Sequence, residues 1–169
     1  MQIENIKEFR KYQCQALESQ GFVMRKLGSK RPPAWVLPDR QVQPLFFPGA
    51  QGRWWGYLMD GVVAIEIPIF RQWISQQNGG VPTLHPDFVI GSHVANDSRF
   101  HDLSSVRGED VPIASWIQVL KKVLSEIPAT LPDLIVTYKA SPERLGPLGS
   151  SFHEQEWEML LDWWAARIA

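Results

Sequence analysis

An α+β fold is the expectation for this chain, and three observations carry it. Arg53–Ile67, RWWGYLMDGVVAIEI, is apolar and aromatic on both sides of Asp60-Gly61, a dipeptide suited to a tight hairpin turn. Ile113, Trp116, Ile117, Leu120, Leu124 and Ile127 recur at spacings of three and four, which marks an amphipathic helix over Pro112–Ile127. A parallel doubly wound sheet needs repeated strand–helix–strand units, and only Ile113–Tyr138 approaches one. The predicted architecture is a mixed or largely antiparallel sheet centred on a 53–67 hairpin. Helices near 3–20, 68–77, 112–127 and 152–168 pack on it.

From the N-terminus, Ile6, Phe9 and Leu17 form one stripe of a helix over Ile3–Gln20, interrupted by Gln13 and stopped by Gly21. Phe22–Leu27 and Trp35–Leu37 read as strands. Gln41–Gly52, with Leu45, Phe46 and Phe47 between two prolines, reads as an irregular strand crossing the core. After the hairpin, Pro68 suits the first turn of a helix whose buried face is Phe70, Trp73 and Ile74. Asp87–Ile90, extending to Gly91, is a further short strand. His93–Asp110 is polar and long for a connection within one domain, a setting in which binding surfaces tend to lie. Asp110 is a plausible cap for the 112–127 helix. Leu134–Tyr138 reads as a β-branched strand, and Lys139–Ser150 as an irregular connection. Ser151 and Glu154 make a capping box for the last helix, whose buried stripe is Trp157, Leu160, Leu161, Trp164 and Ile168. No repeat, low-complexity run or composition break divides the chain, so 1–169 reads as one globular domain.

Composition narrows the function classes. The chain of 169 residues is 44% hydrophobic and 21% charged, as globular proteins are, and its eight tryptophans are the outlier. A single cysteine, Cys14, excludes an intrachain disulfide and fits a reducing compartment. No window is apolar enough for a membrane span and Gln2–Glu18 does not resemble a signal peptide, so a cytoplasmic protein without a membrane partner is expected. The net charge of -1 conceals a gradient, with the first sixty residues basic and the last sixty acidic. Lys7, Arg10, Lys11, Arg25, Lys26, Lys30 and Arg31 argue for a phosphate partner. The acidic half offsets them and the aromatics lie in core patterns, so direct nucleic-acid binding is not expected.

Few residues announce chemistry. His93, Asp97, His101 and Asp102 include ligand types, but they lack the helical i,i+4 pair or the cysteines of familiar metal sites. His85 and His153 look ordinary. Ser104 and Ser105 near His101 and Asp102 supply triad residue types without the strand–nucleophile–helix context. Glu66 is the one acid of the apolar hairpin strand. Strand alternation places it opposite the core with Val62 and Ala64, facing solvent. Gly49–Gly52 lacks the features of a phosphate loop. Neither catalysis nor a cofactor nor a metal is expected.

The terminal helix is more suggestive. Glu154, Glu156, Glu158 and Asp162 surround Trp157, Trp163 and Trp164, and Trp163 falls about 100° off the buried stripe. An exposed tryptophan among carboxylates has the make-up of a protein-binding anchor. Candidate partner-binding residues are therefore Glu154, Glu158, Asp162 and Trp163, together with Arg99, His101 and Asp102 of the 93–110 loop.

Four segments, Ile67-Pro-Ile-Phe-Arg-Gln-Trp73, Ser98-Arg-Phe-His-Asp102, Pro128-Ala-Thr-Leu-Pro-Asp-Leu134 and Trp163-Trp164, resemble the immunity proteins of bacterial polymorphic toxin systems, in particular the Imm52-type family. The resemblance extends over most of the chain. It implies a cytoplasmic, non-catalytic α+β protein of interbacterial competition. Such a protein binds and inhibits a cognate toxin 1:1, with a nuclease delivered by type VI secretion as the implied target. Two other readings stand beside this one: a small hydrolase using the 93–102 His/Asp loop, and a structural or adaptor subunit with a self-associating apolar interface.

Overall fold

The computed structural model describes residues 5–27, 32–38, 40–53, 56–78, 90–101, 113–149 and 154–169. Five strands form one antiparallel meander in chain order: β1 (Val23–Arg25), β2 (Ala34–Val36), β3 (Gln43–Arg53), β4 (Gly56–Glu66) and β5 (Ile90–His93). The helices among the described residues are α1 (Ile6–Ser19), α2 (Pro68–Asn78), α3 (Ile113–Glu126), α4 (Leu131–Ala140) and α5 (Glu154–Ile168). This is an α+β fold, and all five helices contribute side chains to one core cluster with Trp35, Phe46, Met59, Val63 and Ile65 of the sheet.

The hairpin is real but lies elsewhere. β3 and β4 pair along their whole lengths from Gln43↔Glu66 to Arg53↔Gly56, so Asp60 and Gly61 sit inside a strand opposite Gly49 and Pro48. The 53–67 segment is therefore one arm, and Gln41–Gly52 supplies the other as a regular strand. Gly61 has a packing role instead of a turning one. A Cβ there would stand 2.4 Å from Phe46 Cε2 and 2.5 Å from the Phe47 carbonyl oxygen, so the Phe46 ring occupies the space a side chain would need. That ring in turn meets Trp116 of α3 at 5.6 Å between centroids.

Alternation then buries the middle of the sheet on both faces. Ala34, Val36, Leu45, Phe47 and Ala64 form a second cluster opposite the helices, joined by half-buried Leu27 and Val62. Both faces being buried explains why β3 and β4 carry near-continuous apolar runs.

Local chemistry accounts for the helices. Asn5 caps α1 by accepting from the amides of Lys7 and Glu8 at 3.0 Å each. Gln13, which interrupts the apolar stripe of α1, is buried with a purpose: its amide donates to the Gly49 carbonyl at 2.9 Å and to Met59 Sδ at 3.1 Å. Arg40 donates to the carbonyls of Leu124 (2.9 Å) and Ile127 at the end of α3. Burial lowers its pKa from the usual arginine value.

Leu134–Tyr138 is helical, not a strand. Thr130 caps α4, its hydroxyl donating to Asp133 Oδ2 at 2.5 Å and accepting from the Asp133 amide at 3.4 Å. Pro132 sits in the first turn. Start signals one to four residues upstream of Leu134 thus outweigh the β-branched composition of Leu-Ile-Val-Thr-Tyr. The 139–150 connection is a pair of tight 3₁₀ turns over Pro142–Gly149, with a kink at Gly146. The proposed start of the 87–90 strand, the Asp110 cap and the Ser151 half of the capping box lie outside the described residues.

Replacing Gly61 tests the register. Gly61→Ala is expected to destabilise the fold by about 1–3 kcal/mol through overpacking against Phe46. In a tight turn the cost would come from the positive φ alone and would not grow with side-chain volume. Gly61→Val should be worse.

Candidate functional site

Charged groups in the described residues fall into an interior set and a surface set, and the sequence-predicted site residues still open to a partner are His101 and the carboxylates of α5. The interior set begins with Glu66. It lies on the second face of the sheet, as alternation requires, but its side chain is 0% exposed rather than solvated. Arg25 of β1 donates from Nη1 to Glu66 Oε2 at 2.6 Å, and Arg71 of α2 brings Nη1 to 2.7 Å from Oε1. The Arg71 contact is an ion pair outside hydrogen-bond alignment, which leaves Oε1 without a well-directed donor. Two cations around one buried carboxylate offset its desolvation.

The second interior group involves the 93–110 loop. Asp97 is nearly buried and receives Arg99 in a fork, at 3.0 Å from Nε and 2.7 Å from Nη2. Arg99 Nη1 reaches Glu126 of α3 at 2.7 Å. Hydrogen bonding to Asp97, aided by Glu126, raises the Arg99 pKa, so the guanidinium is permanently charged. Gly146 closes over this pair at a φ of +59°, where a Cβ would meet Asp97 Oδ2 at 2.8 Å and Arg99 Nη2 at 2.9 Å. A cleft of about 470 Å³ remains between residues 96–99 and 142–149. Arg99, a candidate partner contact, is therefore a strut between three segments. His101 is exposed, with Nε2 donating to the Ala95 carbonyl at 2.8 Å, while Asp102 lies outside the described residues. Among the described residues no group of three or more His, Cys, Asp or Glu side chains could hold a metal ion.

The surface set is on α5. Glu154, Glu158 and Asp162 are exposed one turn apart, on an arc that the helical period makes continuous. Trp163 is not part of it. It is 3% exposed, packs on Phe70 of α2 at 5.4 Å, and carries the Arg167 guanidinium 4.1 Å above its ring. The buried stripe is Trp157, Leu160 and Trp163, with Leu161 and Trp164 half-buried and Ile168 67% exposed. The helix is rotated from its predicted setting because Trp157 is anchored twice: stacked on Tyr138 at 4.3 Å and donating from Nε1 to the Leu148 carbonyl at 3.1 Å. Tyr138 beside this anchor has its pKa raised, first by burial and then by Glu154 and Glu158, which brings the acidic arc against α4.

Sequence reasoning named Glu66 without its partners. The signal for Arg25 was its place in strand alternation with Val23, on the face that also holds Glu66. Arg71 had none beyond being the sole cation of α2.

No family model matches the chain, and no curated protein or solved structure is significantly similar to it. No helix among the described residues is long and apolar enough to cross a membrane.

Two outcomes check this electrostatic division. Glu66→Ala leaves two arginines on an apolar face and should lose about 3 kcal/mol of stability in urea unfolding, whereas a solvated Glu66 would tolerate alanine. Tyr138 stays protonated to higher pH in the fold than its ordinary value of 10.0. Its contribution is thus full below that value and falls as pH rises, because the unfolded chain releases the proton first. Tyr138→Phe should flatten the alkaline loss of stability measured by urea midpoints.

Proposed function

We propose that this chain is a non-catalytic immunity protein that binds a cognate bacterial toxin 1:1 in the cytoplasm and inhibits it. The carrying observation is the acidic arc of Glu154, Glu158 and Asp162. These carboxylates are exposed on a helix whose opposite side is locked into the core, and none forms an ion pair among the described residues. A rigid like-charged ridge costs stability through self-repulsion and benefits recognition of a positive surface. The phosphate-binding groove of a nuclease toxin is such a surface, and occupying it excludes the nucleic acid. Half-buried Leu161 and Trp164 and exposed Ile168 border the arc and supply apolar contact area beside the charges.

The test uses the protein encoded beside this gene as the toxin. Purified together, the two should form a 1:1 complex whose association rate falls steeply with salt. Glu158→Gln with Asp162→Asn should weaken binding by about tenfold or more at low salt, since rim charges act mainly through association. Loss of toxin protection in cells should follow the loss of affinity. Wild-type affinity in the double variant at low salt would remove the acidic arc from the interface, and no complex at all would remove the immunity reading.

A further inference from the structure

We propose that the free edge of β1 is a docking strand, onto which an extended, acidic segment of another polypeptide adds as a further strand of the sheet. The meander runs in chain order, so β1 is paired on one side only, with β2. Among the described residues no backbone hydrogen bond reaches Val23, Met24 or Arg25 from the other side. A row of unpaired amides and carbonyls at strand spacing is a template for one more chain. The apolar layers end at the same place. Val23 pairs with buried Val36 of the second cluster, and Met24 with buried Trp35 of the helical core. Yet Val23 is 52% exposed and Met24 47%, one on each face of the strand. Each layer therefore stops one residue short of cover, and a strand laid beside β1 would cover both residues at once. The outer strand at the opposite end of the sheet has no such ends, since Ile90, Gly91 and Ser92 of β5 are buried.

Charge selects the occupant. Arg25 is taken up by Glu66, whereas Lys26, the next residue, is exposed and has no ion pair among the described residues. Residues 19–38, the stretch that makes β1 and β2, contain four cations and no acid. Edge-to-edge pairing with a second copy sets two such stretches against each other, and like charges across a strand pair are unfavourable. A segment with two adjacent apolar residues flanked by carboxylates meets Val23 and Met24 with apolar area and Lys26 with opposite charge. This inference is independent of the toxin-binding reading, since it concerns a different surface from α5 and a partner of the opposite charge.

The experiment titrates the whole isotope-labelled protein with the peptide acetyl-Glu-Glu-Thr-Val-Val-Thr-Glu-Glu-amide and follows backbone amide resonances and their hydrogen exchange. Saturable shifts and slowed exchange should centre on β1, with a Kd of about 0.1–1 mM. Methylating alternate backbone nitrogens of the peptide removes the ladder hydrogen bonds and should abolish binding. Replacing its glutamates by lysines should weaken binding by about tenfold or more. Lys26→Glu, a change at an exposed position outside the strand, should fold as wild type and weaken binding by about fivefold. Lys122→Gln, on the exposed side of α3, should leave it unchanged. The proposal is overturned if β1 shows no shift at about 2 mM peptide, or if the methylated or the lysine peptide binds equally well. It is also overturned if Lys26→Glu binds as wild type, or if the β1 amides shift with protein concentration alone, which would make a second copy the occupant.

Discussion

A carboxylate with none of its surface in water has to be met by charge, and Glu66 is met from two directions. Arg25 arrives from the outermost strand and Arg71 from the helix that follows β4, so one buried group ties both to the central hairpin. The constraint arises because β3 and β4 are buried on both faces around this position. Phe46, Val63 and Ile65 face the helices, while Leu45, Phe47 and Ala64 are covered on the other side. A glutamate on the solvated face of a half-buried sheet would need no partner. On this face an unpaired carboxylate would cost several kcal/mol. The second apolar layer and the arginine pair therefore require each other.

A comparable dependence runs through the aromatic side chains on the helical face. Trp116 bridges Phe46 and Phe100, linking α3 to β3 and to the turn after β5. Trp157 and Trp163 do the same for α5, stacking on Tyr138 and packing on Phe70. These contacts set the rotation of α5 about its own axis. With Trp157, Leu160 and Trp163 turned inward, the period of 3.6 residues leaves Glu154, Glu158 and Asp162 nowhere but outward. The acidic arc is thus a consequence of core packing, and its charges share the rigidity of the tryptophans behind them.

Elements with strong periodicity or clear punctuation were legible in the sequence: α2 after Pro68, α3 from its apolar spacing, and the short strands β1 and β2. The errors have distinct causes. Asp60-Gly61 looks like a turn because a positive φ in a hairpin turn and an aromatic ring lying over a strand both select glycine, for different reasons. Leu134–Tyr138 is rich in strand formers, and only the Thr130–Asp133 cap with Pro132 shows that a helix has already begun. Alternation places Glu66 on the correct face but carries no information on what lies above it, so its burial is not legible. The burial of Trp163 depends on the anchoring of Trp157 to Leu148, a contact between elements that no periodicity encodes. Of the candidate site, the outward carboxylates of α5 could be read directly. The engagement of Arg99 by Asp97 and Glu126 could not, since Glu126 is distant in sequence.

The charge gradient along the chain acquires a physical form through these pairings. Arg99 and Arg40 are cations spent on structure, one forked onto Asp97 under Gly146 and the other closing the end of α3. Arg25 and Arg71 belong with them, both drawn to the buried Glu66. Removing such groups from the account leaves the arc on α5, which a net charge of -1 does not describe. Because that arc stands on buried indoles, it is fixed by the fold before any partner arrives. A partner that meets it finds its ordering entropy already lost in folding, which favours specific electrostatic recognition over adaptive wrapping.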